Sequence, residues 1–153
     1  MKEATMTAPP ILAYGPPVSL ALANRLAAAA EAHARARGWP MVIAVCDPGG
    51  HLVCLQRMDD AALGSVEVAQ RKASTAALFK RSTRGFEETL ASGGATLRLL
   101  SMHNAILMDG GMPLLHEGKV IGAIGVSGMH PSQDGEVAEA GARALAGWMG
   151  ATP

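Results

Sequence analysis

The stretch from Glu117 to Gly128, EGKVIGAIGVSG, constrains this chain more than any other. It reads as a strand entered by a tight turn at Glu117-Gly118 and left by a flexible one at Ser127-Gly128. Alternate residues of a strand face opposite ways, so Val120, Gly122, Ile124 and Val126 share one face. Ile121, Ala123, Gly125 and Ser127 share the other. Neither face carries a charge, and both therefore need cover, which predicts a central strand with packing on each side. Glycine inside a strand marks a place where backbone or ligand comes close. A helix packed on the Gly/Ala face is the plainer of those two expectations, and a bound ligand is the other.

Around this strand the chain is long enough, at 153 residues, for one self-sufficient domain. Lysine plus arginine and aspartate plus glutamate stand at 13 each, which removes any global electrostatic pull toward nucleic acid or an acidic membrane. Aromatic side chains are few (Tyr14, Trp39, Phe79, Phe86 and Trp148), so the core must rely on close backbone approach and on methionine. No apolar run reaches the length of a bilayer span, and no leader pattern opens the chain; cytoplasmic residence is the expectation. Two cysteines, Cys46 and Cys54, are too few for a disulfide framework.

In chain order, residues 1–17 hold four prolines and no apolar period, and read as a flexible lead-in to a single domain over residues 18–150. An alanine-rich helix is expected from about Val18 to Arg37, stopped by Gly38 and Pro40. Leu22, Leu26, Ala29 and His33 line one side of it, which turns His33 toward the sheet. Met41 to Cys46 and His51 to Arg57 form a hairpin through Asp47-Pro-Gly-Gly50. A four-residue loop would set Cys46 opposite His51 and Cys54 opposite Ile43, too far apart to bridge. Ser65 is the expected cap of a helix from Val66 to about Lys80, with Lys72 at the edge of its buried stripe. Thr83 is expected to cap a short helix through Leu90, and Ala105 to Met108 reads as a short strand. A strand from Leu114 to His116 then pairs with the opening stretch, and Asp134 caps a last helix over residues 135–149. Helices alternating with hairpins predict an α+β fold, an antiparallel sheet of about five strands flanked by helices in an α/β/α layering.

Familiar catalytic signatures fail. Gly122, Gly125 and Gly128 match neither the dinucleotide fingerprint nor a phosphate loop, and His116-Glu117 lacks the histidine a zinc-protease helix needs. The five histidines share no metal-ligand spacing, and there is no nucleophile elbow. What remains is a set of polar residues beside buried elements: Arg57 and Asp59 after the second hairpin strand, Lys72 on the helix that follows, Gly111 in a turn, Ser127 and Gly128 at the end of the central strand. Arg57 with Lys72 has the chemistry to hold a carboxylate or propionate. The plainer alternative is an Arg57–Asp59 ion pair with Lys72 in solvent. His33 is either a hydrogen-bonded core residue or an axial ligand to haem iron.

These motifs, read together, resemble the GlcG/HbpS-like family, which includes the C-terminal domain of PduO-type proteins. The matching segments are Val42 to Val53 (VIAVCDPGGHLV), Arg57-Met-Asp59, Lys72-Ala73-x-Thr75-Ala76, Gly110-Gly-Met-Pro113, Gly118 to Gly128, and Gln133-Asp134 followed by Gly141-Ala142. The likeness runs from about Val18 to Trp148. Asp60 departs from the family pattern, where glycine is usual, and so does the Met129-His-Pro-Ser132 segment. The resemblance implies a homo-oligomeric small-molecule binder with haem or another tetrapyrrole as leading ligand, Arg57 and Lys72 meeting its acidic groups, and His33 at the iron. A second reading is an isomerase, deaminase or lyase acting on a small organic acid, with Arg57 and Lys72 as carboxylate anchor and Asp59, His33 or Lys72 as acid or base. An accessory subunit with a vestigial pocket is a third.

Overall fold

A computed structural model describes residues 10–149. The alanine-rich segment forms α1, Leu20–Arg37, with the Ser19 hydroxyl accepting from the Leu22 amide and Gly38 closing it in the left-handed conformation that glycine adopts freely. The hairpin follows as β2, Val42–Cys46, and β3, Leu52–Arg57. Next come α2, Ser65–Phe79, and α3, Thr83–Ala91, then a 3-10 helix, Gly94–Ser101. The last three elements are β4, Gly111–His116, β5, Lys119–Ser127, and α4, Pro131–Met149. A short β1, Ala13–Tyr14, precedes them all.

β5 is central, as its two uncharged faces demand. β4 runs antiparallel along one edge from Gly111–Gly125 to His116–Lys119. The other edge carries β2, antiparallel from Val42–Ser127 to Cys46–Ala123, and β1, parallel, at Ala13–Lys119 and Tyr14–Val120. β3 lies outside β2. The sheet is thus mixed, five-stranded and mostly antiparallel, and the parallel β1 was not foreseen. Its pairing draws part of the proline-rich lead-in onto the domain: the Gly15 and Val18 amides donate to Val120 and Ile121 carbonyls, and the Tyr14 hydroxyl donates to Ala77 O at 3.0 Å. Residues 1–9 of that lead-in lie outside the described residues.

Two cores form, one on each side. α1 and α4 cover Ile43, Val45, Ile121, Ile124 and Val126, using Leu22, Leu26, Val137 and Leu145. On the opposite side α2 lays Ala69, Ala73, Ala76 and Ala77 on Val42, Ala44, Cys46 and Ala123. A Cβ on Gly125 would overlap the α2 backbone at Ala69 O. The glycine of the central strand therefore serves helix packing, the plainer expectation, and alanines on the helix complete the close approach.

Several local expectations are corrected. A bulge between Val45 and Cys46 sets Cys54 opposite Val45 and Cys46 opposite Leu52, so the two thiols sit on different faces. Both are free, and burial pushes the Cys46 thiol up to about 12. Ser65 is the first helical residue of α2, behind Gly64, and caps nothing. Ser82 rather than Thr83 caps α3, its hydroxyl accepting from the Gly85 amide. Ala105 to Met108 is irregular, not a strand. β4 begins at Gly111 and includes Pro113, which an edge strand tolerates because its missing donor is not needed by a neighbour.

Candidate functional site

The most unusual side chain in the molecule is Lys72. It projects from the alanine face of α2 toward the start of β4, and it is 1% exposed. The missing side chain of Gly110 opens its path: a Cβ there would stand 2.8 Å from Lys72 Nζ and 2.9 Å from its Cδ. Gly111 is equally constrained, since a Cβ would overlap Lys72 O and stand 2.8 Å from Thr83 Cγ2. The ammonium donates to Val126 O at 3.1 Å and to Asp134 Oδ2 at 2.8 Å. An unpaired ammonium in such a place would be expelled or neutralised; the carboxylate and the carbonyl together satisfy it.

Asp134 belongs to the first turns of α4, which starts at Pro131, ahead of the expected start at Gly135, so that Asp134 lies inside the helix and not at its cap. Its Oδ1 accepts the Met129 amide at 2.9 Å, tying the loop after β5 to the helix. It is therefore a partner for a buried lysine as well as a helix-entry residue. Burial raises its carboxyl above the usual range, opposed by the hydrogen bond and charge of Lys72.

Next to this pair lies Asp109, 8% exposed. Its Oδ1 accepts the Gly110 amide at 2.7 Å, and its own amide donates to Glu87 Oε2 at 3.2 Å. Burial pushes its carboxyl up, with the Glu87 charge adding and the Gly110 hydrogen bond and Arg84 charge opposing. Thr83, fully buried, accepts the Gly111 amide at 2.8 Å. Lys72, Thr83, Asp109 and Asp134 thus gather where α2, α3, α4 and the first residues of β4 meet. Asp109, Thr83 and Glu87 were missed in the sequence, where Asp109 preceding Gly110-Gly111 reads as turn chemistry.

The other candidate residues divide. Ser127 and Arg57 both pair with Val42, from its two sides, so they stand in one row of the sheet near the end where Lys72 reaches Val126 O. Ser127 is buried and Arg57 exposed. Gly128 packs on the Pro40–Met41 backbone, its missing Cβ allowing that approach. Asp59 is exposed, and among the described residues it makes no ion pair with Arg57, so the hairpin-closing bridge does not form. Lys72 is not in solvent. His33 does not look at the sheet: it sits in the α1–α4 seam, where its Nε2 lies 3.0 Å from Glu136 Oε2. Glu136 also takes Arg37 Nη2 at 3.0 Å. His33 and Lys72 thus belong to helices on opposite faces of the sheet. Among the described residues, no group of three or more histidine, cysteine or acidic side chains converges to hold a metal ion. No helix there is long and apolar enough to cross a membrane.

A mostly antiparallel sheet between α2 and the α1–α4 pair, pinned by a buried lysine–aspartate bridge, defines an α+β domain of layered α/β/α form. Residues 18–143 match the family described as haem degrading protein HbpS-like, and the chain belongs to that family. Protein GlcG of Escherichia coli K12 is 40% identical over 110 residues, covering 72% of this chain and 81% of GlcG. The crystal structure of the Klebsiella pneumoniae protein ORFY superposes with a TM-score of 0.81 at 28% identity, covering 95% of this chain and 97% of ORFY. A PduOC:heme complex superposes with a TM-score of 0.76 at 30% identity, covering 84% of this chain and 94% of PduOC.

Proposed function

We propose that this protein binds haem or a closely related tetrapyrrole. The observation that carries the reading is the likeness to the PduOC:heme complex, supported by membership of a family described by haem degradation. In this reading Arg57, exposed and without an ion-pair partner among the described residues, meets a propionate. Lys72 serves by holding the end of β5 beside Ser127 rather than by direct contact, since Asp134 neutralises it. His33 is the candidate axial ligand, and its imidazole must first leave Glu136. The working form is a homo-oligomer, a reading favoured by the 3-10 helix, which buries no residue and exposes Leu97 and Leu100. The organic-acid enzyme reading loses its proposed anchor, because the Lys72 ammonium is already bound to a carboxylate.

Titration of the purified protein with hemin tests the reading. A saturable Soret shift at one equivalent or less per chain is expected, and its absence at micromolar protein overturns haem binding. A spectrum unchanged in His33→Ala removes the iron-ligand role of His33 alone, while weaker binding in Arg57→Ala supports the propionate contact.

A further inference from the structure

Between the β2–β3 hairpin and α2 lies a cavity of about 230 Å³, room for a ligand of a few heavy atoms. Its inner wall is small and apolar, made by Cys46 of β2, Leu52 of β3 and Ala73 of α2. Burial keeps the Cys46 thiol protonated, so it serves as wall and not as nucleophile. The hairpin turn closes one end. Gly50, in the left-handed conformation, rests on α2 there, and a Cβ on it would stand 3.2 Å from the Ser74 Cβ. Glu67, two turns before Ser74 on the same helix, is exposed.

The polar lining comes from one stripe of α2, on which Glu67, Gln70 and Arg71 stand at i, i+3 and i+4. A glutamate four residues before an arginine ordinarily pairs with it, as Glu31 does with Arg35 and Glu139 with Arg143. Glu67 and Arg71 do not: among the described residues neither makes an ion pair. Arg71 is half-buried and turned toward Ala105 O, a single long contact at 3.5 Å that leaves most of its five donors free. Gln70 gives its Nε2 to Val66 O at 3.0 Å, and among the described residues its Oε1 takes no donor. A positive and a negative charge thus stand one helical turn apart on the wall of one cavity, unmatched, with a free amide oxygen between them in the chain.

We infer that this cavity binds a small α-amino acid as its zwitterion, the carboxylate on Arg71, the ammonium on Glu67 and the Gln70 Oε1, and a short side chain against Cys46, Leu52 and Ala73. A guanidinium meets a carboxylate with paired donors, and an ammonium brings three donors to the acceptors of the other two residues. A ligand with one charge leaves the opposite wall charge unmatched, so neither a plain carboxylate nor a plain amine answers both ends. The inference does not rest on haem binding, because the cavity lies on the α2 side of the sheet and His33 on the α1 side.

The test is an amide chemical-shift titration of the full chain with L-alanine, with propionate, ethylammonium and L-tryptophan as comparison probes. Saturable shifts centred on Gly50, Gln70 and Ala73 are expected with L-alanine in the wild-type protein, which locates the site even where a variant is poorly folded. Propionate and ethylammonium, each carrying one charge of the zwitterion, should bind about tenfold more weakly, and L-tryptophan is too large for the inner wall. Arg71→Gln should weaken L-alanine binding about tenfold and Glu67→Gln several-fold, with no change in Glu117→Gln on the far β4–β5 turn. No saturation with L-alanine at millimolar concentration, shifts centred elsewhere, binding indifferent to Arg71→Gln, or propionate or L-tryptophan binding as tightly as L-alanine would each overturn the proposal.

Discussion

Two carboxylates on the first turns of α4, two residues apart, meet basic partners from different helices in opposite surroundings. Asp134 takes Lys72 of α2, both nearly without exposure, at 2.8 Å. Glu136 takes His33 and Arg37 of α1 at 3.0 Å, with all three partly in solvent. The bond lengths are close, and the energetics are not. In the buried pair each charge has given up its hydration, so removing one partner strands the other. At the surface, water and salt replace whatever is removed. Burial even reverses the direction in which the carboxyls shift: Asp134 is raised by desolvation, whereas Glu136 is lowered, first by its hydrogen bond with His33.

The largest break in this comparison should come from Lys72→Met. It leaves Asp134 buried without its cation and is expected to destabilise the fold by about 3–5 kcal/mol in urea unfolding. Pairing it with Asp134→Leu should recover a large part of that loss. A double variant no better than the single would mean that the lysine acts through packing instead of charge.

Gly125→Ala comes next. The added methyl meets the α2 backbone, not a movable side chain, and should cost about 1–3 kcal/mol by overpacking. An unchanged denaturation midpoint would show that α2 rides further from the sheet than the structure places it.

The pH dependence separates the two carboxylates by sign. A folded-state value raised above the unfolded one, as for Asp134, gives stability that is present below the unfolded carboxylate range and fades as pH rises through the folded value. A lowered value, as for Glu136, gives stability present above the unfolded value and lost as pH falls through the folded one. Measured from acid pH toward neutrality, wild-type stability relative to Asp134→Asn should therefore decline, and relative to Glu136→Gln should rise. Slopes of the same sign in both series would collapse the distinction between the buried and the exposed pair.

The smallest effect belongs to His33→Ala. It should lower stability by no more than about a tenth of the Lys72→Met loss, and salt should erase the difference. A large, salt-independent loss would instead place His33 in the core that its helical spacing first suggested.

Much of the fold was legible because it follows from local rules. The uncharged, doubly covered β5, the Gly38 end of α1 and the Glu117-Gly118 turn each act over a few residues, and each is found as read, although a register shift against β4 turns Ile121 from the face of Ala123 to that of Ile124 and Val126. The misses share a cause. The Val45–Cys46 bulge, the pairing of β1 with β5 and the early start of α4 depend on partners far along the chain. Lys72 was placed at the edge of a buried stripe, and the alanines and glycines that bury it were noted. Nothing local said that Gly110 would open a path for its ammonium, or that Asp134, 62 residues on, would receive it. Asp109 escaped notice because an aspartate before two glycines satisfies turn chemistry equally well.

By itself, then, the sequence determined the class of the domain and its central strand, because side-chain periodicity and turn chemistry are properties of short segments. It also marked the small residues at which a helix and a sheet come close. Only the tertiary structure decided which charges are buried together. Solvation depends on every element packed around a group, and so the same residue types became a dry pair at Lys72–Asp134 and a wet one at His33–Glu136.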